Sequence, residues 1–399
     1  MTDPEATAAL NVPVPLPELR LGRVVVGTPV VLAPMAGITN RAFRRLCRRE
    51  TDPALPSCLY VSEMVTSRAL LERNPATMRL IEHDPEEYPR SVQLYGVDPD
   101  TVAAAVRLLL SEDRADHIDL NFGCPVPKVT RKGGGAALPW KRELFRRIVG
   151  RAVAEASRHD VPVTIKMRMG IDPDHLTYLE AGLAAEAEGV AAVALHARTA
   201  EQRYAGHAEW SAIARLKQAV RTVPVLGNGD IWSADDAMAM LAGTGCDGIV
   251  VGRGCLGRPW LFGDLAAAFG GRPGPARPDL GEVGATMRRH ARYLVEFFGQ
   301  ESRGCRDFRK HVAWYLKGFP VGADLRCRMA LVEDLAGLDA LVAQLDAGQS
   351  WPGEPADGPR GRSGAPRAVA LPDGWLASPE LSHAEAGMLG HAELAVSGG

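Results

Sequence analysis

The stretch that decides the fold is residues 117–125, H-I-D-L-N-F-G-C-P, followed by the glycine-rich V-P-K-V-T-R-K-G-G-G-A-A-L. Ile118 and Leu120 alternate with polar residues as in a short buried strand, and the Gly and Pro that follow end that strand. Cys124 is therefore predicted just beyond the carboxyl end of a strand, which is the reactive edge of a β/α protein. A thiol there could be a nucleophile, a general acid or a small apolar filler.

The same pattern recurs along the chain, where short apolar runs alternate with amphipathic helical stretches, as is typical of βα units. Strands are predicted at 30–33, 58–63, 90–95, 117–121, 163–168, 190–196, 223–227 and 247–251. Helices are predicted at 40–49, 99–111, 141–157, 176–188, 210–220 and 233–242. Eight strands close a parallel barrel, so the sequence predicts an α/β fold of the (β/α)8 TIM barrel type. A doubly wound open sheet is the alternative, but it needs a switch point and usually fewer strands.

Composition divides the chain into four parts. Residues 1–22 are rich in Pro and Ala and are predicted to form a flexible N-terminal arm, and residues 23–270 are assigned to the barrel. A Gly- and Pro-rich linker then leads to a small all-helical C-terminal domain at 278–347. The acidic tail at 348–399 lacks durable periodicity, so we expect it to be disordered and expect its deletion to leave activity intact or to raise it slightly.

Length and charge bound the class of protein. The 399 residues suffice for a barrel of about 250 residues plus a smaller domain. With 46 Lys and Arg against 48 Asp and Glu, the formal net charge is −2, so any nucleic-acid surface must be local. Seven Cys without a C-x-x-C pair argue against a disulfide framework and a zinc site, and indicate a reducing cytoplasm. No apolar run suits a membrane span, and the N-terminus does not resemble a signal peptide.

One local basic region lies in the predicted helical domain. Residues 286–328 contain ten Lys and Arg against four Asp and Glu. Aromatic residues are interleaved with these charges at Phe308, His311, Trp314 and Tyr315. The alternative is an ordinary solvated helix surface. The basic and aromatic residues occur together in a protein whose other residues are acidic overall, and this favours a patch that faces RNA.

The predicted barrel brings the loops after all eight strands to one face. These loops begin with A-P-M-A-G (33–37), S-E-M (62–64), V-Q-L-Y-G (92–96), N-F-G-C-P (121–125), T-I-K-M-R (164–168), L-H-A-R-T (195–199), G-N-G-D (227–230) and V-G-R-G (251–254). Polar groups at strand ends cost stability unless they bind something, so this ring predicts a large polar ligand. The Gly-rich turns after the last two strands, with Arg253, predict a phosphate site. Lys166 suits the N1 and O2 edge of a flavin, and Gln93 suits its N3 and O4 pattern.

In combination, these motifs resemble the tRNA-dihydrouridine synthases, and most nearly their bacterial B-type subgroup. The resemblance extends over about residues 24–335, including F-R-K-H-V-A-W-Y (308–315) in the helical domain. It implies an FMN enzyme that reduces a specific uridine in tRNA to 5,6-dihydrouridine with NADPH as the reductant. It also implies a cytoplasmic monomer with tRNA as its partner and no metal.

The resemblance further implies roles for individual residues. Cys124 matches the proton donor. Asn121 and Arg168 match positions near the uracil edge. Lys132 and Arg198 match loop positions near the RNA. FMN contacts are implied for Pro34, Met35, Ala36, Gln93, Lys166, His196, Asn228, Gly229, Asp230, Gly252 and Arg253.

The implied chemistry sets a requirement on the thiol. Reduction of the uracil C5–C6 bond needs a hydride at C6, from flavin N5, and a proton at C5, from Cys124, whose pKa should then not be strongly depressed. The uridine must also be flipped out of its stack. Two other functions stay open: an FMN barrel acting on a free small molecule, such as a dihydropyrimidine or dihydroorotate dehydrogenase, and a tRNA-binding module without redox activity.

Overall fold

An eight-stranded parallel barrel forms the centre of the protein in a computed structural model that describes residues 18–272, 277–361 and 363–394. The strands are β1 (Leu19–Leu21), β2 (Val24–Val26), β3 (Val30–Leu32), β4 (Leu59–Thr66), β5 (Ser91–Tyr95), β6 (His117–Phe122), β7 (Val163–Arg168), β8 (Ala192–His196), β9 (Val225–Asn228) and β10 (Gly248–Val251). Strands β3 to β10 pair in chain order, and β10 pairs back to β3. The predicted TIM barrel is thus confirmed, and each predicted strand overlaps one barrel strand.

Helices connect the barrel strands and continue beyond them. They are α1 (Arg41–Arg49), α2 (Ser67–Leu71), α3 (Pro75–Leu80), α4 (Pro99–Ser111), α5 (Pro127–Thr130), α6 (Arg142–Ser157), α7 (Tyr178–Ala187), α8 (Trp210–Ala219), α9 (Ala234–Thr244), α10 (Leu261–Phe269), α11 (Leu280–Phe298), α12 (Glu301–Tyr315), α13 (Ala323–Met329), α14 (Leu335–Val342) and α15 (His383–Leu394). Side-chain caps fix several starts. Asp98 accepts a hydrogen bond from the Thr101 N–H before α4, and Ser233 and Asp236 form a capping box at α9.

The barrel interior has an apolar part and a polar part. Alternate residues of β3, β4, β8, β9 and β10 form one buried apolar cluster, which includes Val31, Val61, Ala194, Leu226 and Val250. The β1–β2 hairpin adds Leu19, Leu21, Val24 and Val26 to the same cluster. The corresponding positions of β5, β6 and β7 carry polar side chains that lead toward the carboxyl ends of the strands.

The predicted N-terminal arm is too long. Residues 1–17 lie outside the described part of the chain, but Leu19 and Leu21 belong to the barrel rather than to a flexible segment. Both are buried, and the Gly22 turn between the two hairpin strands lies against Pro162 at the amino end of β7. The hairpin therefore covers the amino end of the barrel, because its alternate apolar residues face the interior.

The helical domain formed by α11 to α14 packs on α1 through an aromatic cluster. The ring of Phe43 on α1 lies 5.6 Å from that of His290, which in turn lies 4.4 Å from that of His311. His311, Phe308 and Tyr315 are fully buried. The prediction that these aromatic residues face RNA is therefore wrong, because their helical spacing places them on the face of α12 that packs against α11 and α1.

Residues 348–361 and 363–394, here called the C-terminal strap, are folded against the rest of the protein. Trp375 is 1% exposed, Leu389 is buried in the main core, and Arg360 is buried against the carbonyl oxygens of Leu256 and Trp314. The predicted disorder is thus wrong for the described residues of this segment. The strap is ordered by separate anchoring side chains rather than by a periodic pattern, and one buried Trp removes a large apolar area from water. Deletion of the strap is now expected to cost stability.

The described residues form neither a membrane-spanning helix nor a cluster of metal-binding side chains. Across 18–272, 277–361 and 363–394, none of the helices combines the length and apolar character needed to cross a bilayer. Within the same ranges, His, Cys, Asp and Glu side chains do not gather in groups of three or more that could hold a metal ion. The polar groups of greatest interest lie instead at the carboxyl ends of the barrel strands.

Candidate active site

The loop after β6 holds Cys124 at the carboxyl end of the barrel. The Asn121 side-chain oxygen accepts hydrogen bonds from the backbone N–H groups of Gly123 (3.2 Å) and Cys124 (2.9 Å), which forms a turn directly after the strand. The glycine-rich loop folds back over this turn, since the Ala136 N–H donates to the Cys124 carbonyl at 3.1 Å. Gly135 has φ +55°, and a Cβ there would lie 2.5 Å from that carbonyl, so the close approach requires glycine.

The Cys124 side chain is in a state suited to giving up a proton. Burial raises the pKa of the Cys124 thiol, while a backbone hydrogen bond at Val126 and the positive charge of Arg168 act in the opposite direction. The net shift is upward, so the group is a thiol rather than a thiolate at neutral pH. This is the state that the sequence analysis required of a proton donor.

A chain of buried hydrogen bonds runs from Asn121 into the barrel. The Asn121 amide donates to the Gln93 side-chain oxygen at 2.9 Å, and the Gln93 amide donates to Asp119 at 2.6 Å. The other Asp119 oxygen accepts from the Thr164 hydroxyl at 2.6 Å, and that hydroxyl lies 2.9 Å from His117 Nε2. Because both ends of the Gln93 amide are engaged, its orientation is fixed. The predicted FMN contact Gln93 is fully buried beneath the mouth of the barrel.

Lys166 and Asp119 form an electrostatic pair below the mouth. Lys166 lies on β7 beside Asn121 of β6, and Pro34 lines the same small cavity as Lys166 and Asp119. Burial and the nearby Arg168 together lower the pKa of Lys166 to about 8, although Asp119 opposes the shift. Burial raises the pKa of Asp119 to about 6. Both groups are therefore mostly charged near neutral pH, and each supports the charge of the other.

Arg168 ties the loop after β6 to the loop after β8. Its guanidinium donates to the carbonyl oxygens of Gly123 (3.0 Å), Thr199 (2.9 Å) and Arg203 (2.9 Å). His196 pairs with Arg168 in the register of β7 and β8. Burial and the nearby Arg168 lower the pKa of His196 well below its usual range, so His196 is a neutral donor and acceptor at this edge.

Arg198 and Asp230 form a buried ion pair. Arg198 Nη2 lies 2.8 and 2.7 Å from the two Asp230 oxygens, and Arg198 is 1% exposed. The Arg198 guanidinium is thus used inside the protein, where it also donates to the Ala205 carbonyl, and its nearness to RNA stays a prediction. The carboxylate of Asp230, a predicted FMN contact, also accepts from the Ala208 N–H at 2.7 Å.

The turns after β9 and β10 contain Gly229, Gly252 and Arg253, for which the sequence predicts a phosphate site. The Asn228 amide donates to the Val250 carbonyl at 2.7 Å, which ties the ends of the two strands together beside Gly229 and Gly252. The Arg253 guanidinium lies 3.6 Å from Asp230. These turns thus place one cation beside two glycine-containing backbone segments, as an anion site requires.

The predicted contacts Pro34, Met35 and Ala36 form the loop after β3. The backbone N–H of Met35 donates to the Thr39 hydroxyl at 3.0 Å, which shapes the turn. The N–H of the residue after Ala36 donates to the carboxylate of Glu63 from β4. Burial raises the pKa of Glu63 to about 7, so this contact couples the loop to a carboxyl group that titrates near neutral pH.

Sequence reasoning missed Tyr204, an aromatic residue at the mouth. It is 38% exposed, and its ring lies 4.3 Å from the Arg253 guanidinium and 5.7 Å from that of Arg168. The ring of His196 is 6.3 Å away. No periodic pattern marks Tyr204, and the available signal was an aromatic residue in the loop after β8 of a predicted barrel.

The basic surface predicted for the helical domain is smaller than its charge count indicates. Among the described residues, several of these cations form ion pairs: Arg288 and Arg292 with Asp339, Arg289 with Glu50, Lys310 with Asp307, and Arg328 with Asp324. Arg303 and Arg306 are exposed and line an open groove with Gln300 and Ser302. Lys132 lies half-buried in the loop after α5.

The closed parallel barrel carries a thiol, a lysine, a neutral histidine and arginines around one mouth. This combination is typical of an enzyme of the TIM-barrel class. The chain belongs to the dihydrouridine synthase (Dus) family, whose family model matches residues 31–348. The resemblance inferred from the sequence is therefore confirmed.

Individual relatives agree with this assignment. A probable tRNA-dihydrouridine synthase of Mycobacterium tuberculosis (strain CDC 1551 / Oshkosh) is 59% identical over 368 residues, which cover 92% of this chain and 94% of that protein. A tRNA-dihydrouridine synthase B of Pseudomonas aeruginosa is 39% identical over 330 residues, covering 82% and 96%. Histamine dehydrogenase from Rhizobium sp. 4-9 superposes with a TM-score of 0.50 at 11% identity, covering 85% of this chain and 66% of that one, and shows the likeness of the fold alone.

Proposed function

We propose that this Dus-family enzyme reduces a specific uridine in tRNA to 5,6-dihydrouridine, with FMN as its bound cofactor and NADPH as the reductant. Family membership and 59% identity to a probable tRNA-dihydrouridine synthase support the reaction class. The observation that carries the proposal is the Cys124 thiol, whose pKa is raised by burial, held at the mouth beside Arg168, with Lys166 on the same strand as Arg168.

The donor set at the mouth fits FMN. Lys166 offers a cation for the pyrimidine edge of a flavin, and neutral His196 offers hydrogen bonds beside it. Arg253 and the backbone at Gly229 and Gly252 would hold the phosphate. When bound, FMN supplies the hydride that reduces the C5–C6 bond of uracil. The residues of the chain then have to place the base, exclude water and supply a proton.

Cys124 supplies that proton to C5 of the uracil. Its raised pKa keeps the proton on sulfur until transfer. Asn121 fixes the Cys124 backbone by accepting its N–H, and Arg168 fixes the preceding residue through its carbonyl. After transfer, the positive charge of Arg168 stabilises the thiolate, since it is the cation that lowers the pKa of this thiol.

The remaining polar groups would recognise the substrate. Asn121 and Arg168 border the space next to Cys124 and are proposed to contact the edge of the flipped uracil. The exposed cations Arg303 and Arg306, together with Lys132, are proposed to contact the phosphates of the surrounding RNA. A free small molecule would need none of these three cations, which favours tRNA over the alternative substrates.

The first test combines the absorbance spectrum of the purified protein with dihydrouridine mapping of tRNA from cells that lack the gene. We expect a flavin spectrum and the loss of dihydrouridine at one position. Complementation with the Cys327→Ala variant, which alters an exposed cysteine in the helical domain, should restore that dihydrouridine. A flavin spectrum with unchanged tRNA would indicate a small-molecule reductase, and a colourless protein would contradict the cofactor assignment.

A further inference from the structure

We propose that Trp375 of the C-terminal strap is a positioning residue for Cys124, and that the strap holds the glycine-rich loop after β6 in the arrangement that the reaction needs. This inference rests on the proposed role of Cys124. It assigns a function to a segment whose sequence gave no sign of one, and it follows from three sets of contacts.

The first set shows that the strap passes along one side of the barrel mouth. Gly361 lies against Arg253, in the loop after β10, where a Cβ on Gly361 would be 3.3 Å from the Arg253 side chain. The Arg367 N–H donates to the Glu201 carbonyl, in the loop after β8, at 2.9 Å. Trp375 then reaches the loop after β6. The strap thus contacts the loops after β10, β8 and β6, each of which carries a proposed site residue.

The second set shows how Trp375 is seated in the glycine-rich loop. Its indole N–H donates to the Ala137 carbonyl at 3.0 Å, and its own carbonyl accepts from the Trp140 indole at 3.1 Å. Gly133 has φ +73°, and a Cβ there would lie 2.5 Å from the Trp375 ring and 3.0 Å from Leu389. The ring therefore occupies the space that the missing side chain of Gly133 leaves.

The third set connects this seat to Cys124. The Ala136 N–H donates to the Cys124 carbonyl, and Ala136 directly precedes the residue whose carbonyl accepts from Trp375. Two adjacent residues, Ala136 and Ala137, therefore join the indole to the backbone of Cys124. A shift of the loop would move Cys124, because its carbonyl is held from this side and its N–H is held by Asn121.

A buried lysine locks the strap in place. The Lys141 ammonium, at the start of α6, lies 2.7 Å from the Glu385 carboxylate and donates to the carbonyl oxygens of Ser378 (2.8 Å) and Glu380 (3.1 Å). It also lies 4.9 Å from the centre of the Trp375 ring. This charge would be costly to bury without those partners, so the strap and the start of α6 stabilise each other.

The test measures Cys124 directly, in the full-length flavin-loaded protein. The alkylation rate of each cysteine by iodoacetamide is followed by peptide mass spectrometry, and amide hydrogen exchange is followed over residues 133–141. In Trp375→Ala we expect alkylation of Cys124 and exchange in this loop to rise by about tenfold, since removal of a buried Trp lowers the cost of local opening. The exposed Cys327 is the internal standard and should react at an unchanged rate.

Two further variants separate positioning from general damage. Trp351→Ala removes another strap tryptophan, which packs on Trp260 and Phe319 away from this loop, and should leave Cys124 alkylation unchanged. Trp375→Phe keeps an aromatic ring, although a smaller one, and loses the bond to Ala137, so it should retain most of the protection. If Trp375→Ala does not fold, the same measurements are made on Trp375→Phe. Alkylation of Cys124 and exchange in the loop should then rise, but by less than the tenfold expected for the alanine variant.

The outcomes distinguish this inference from the proposed function. Unchanged alkylation and exchange in Trp375→Ala, or in Trp375→Phe where the alanine variant does not fold, would overturn the positioning role, whatever the activity of these variants. The role in catalysis further predicts that Trp375→Ala lowers kcat for dihydrouridine formation while flavin content and KM for NADPH stay the same. If Cys124→Ala were fully active, the proposed proton donor would be wrong, yet the alkylation result would still show whether Trp375 holds the loop.

Discussion

Replacement of Lys166 by methionine is predicted to stabilise the flavin-free protein while removing its function. Lys166 lies below the mouth with a pKa lowered from 10.5 to about 8, chiefly by burial. Methionine has a similar length and no charge to bury. Burial of this charged amine lowers the stability of the folded protein, and the amine is retained because the proposed cofactor site needs its charge.

The magnitude follows from the lowered pKa. A shift of that size corresponds to a cost of about 3 kcal/mol for the charged form. The side chain is partly exposed, and Lys166→Met would leave Asp119 without a nearby cation, so we halve that figure. The free energy of unfolding of flavin-free Lys166→Met should then exceed that of the unaltered protein by about 1.5 kcal/mol at pH 7.

The stability difference between Lys166→Met and the unaltered protein depends on pH. Below the folded pKa of about 8, Lys166 is charged in both states and its full cost is present. Between that value and the unfolded pKa, the unfolded chain binds more protons, so the stability of the unaltered protein rises with pH. The advantage of Lys166→Met should therefore shrink to less than half between pH 7 and about pH 9.5.

The assay is urea denaturation of both flavin-free proteins at the two pH values, followed by a flavin-binding titration. Lys128→Met is the matched control, because Lys128 is exposed and its replacement should change stability by less than about 0.5 kcal/mol. The reasoning is refuted if Lys166→Met is no more stable than the unaltered protein at pH 7, or if its advantage does not fall with pH. Retention of normal flavin affinity would refute the assigned role in cofactor binding.

Three other predictions follow from the site. Reversing the charge of Arg303 and Arg306 together should weaken tRNA binding and reduce its salt dependence by about two counterions, whereas Arg328→Glu, at a cation already paired with Asp324, should have a smaller effect in the same filter-binding assay. Single-turnover uridine reduction should stay flat across neutral pH and fall above about pH 8, first as Lys166 loses its charge and then as the Cys124 thiol, whose pKa is raised, ionises; a fall starting below pH 7 would contradict this. Asp119→Asn should lower flavin content at constant protein, since Thr164 and Gln93 donate to different oxygens of Asp119 and an amide puts an NH2 donor in the place of one of them; unchanged absorbance would contradict it.

The barrel could be predicted from the sequence because its strands are buried on both faces. In the sequence, such strands are short continuous apolar runs bounded by Gly or Pro, and eight of them in order leave few alternative folds. The loop with Cys124 could be placed for the same reason, since it follows one of these runs directly. The structure adds the hydrogen bonds of Asn121 and the raised pKa of the thiol, which depend on contacts between strands.

The errors have a common physical cause. Charge counts do not show which cations are paired. Arg289 pairs with Glu50, which is far away in the sequence, and Arg198 pairs with Asp230 inside the barrel. Periodicity likewise does not reveal a segment that is ordered by separate anchors. Trp375 meets Gly133 only in the folded protein, so the composition of the strap alone predicted disorder.

The central claim is that Cys124 gives a proton to a uridine held at the mouth of this barrel. The most direct test is a single turnover of the NADPH-reduced protein with unmodified tRNA, in which dihydrouridine is quantified for the unaltered protein and for Cys124→Ala. Loss of a positioned general acid should slow formation of dihydrouridine by about 10²- to 10⁴-fold, while flavin content and NADPH oxidation stay the same. Formation of dihydrouridine at the unaltered rate by Cys124→Ala would contradict the account.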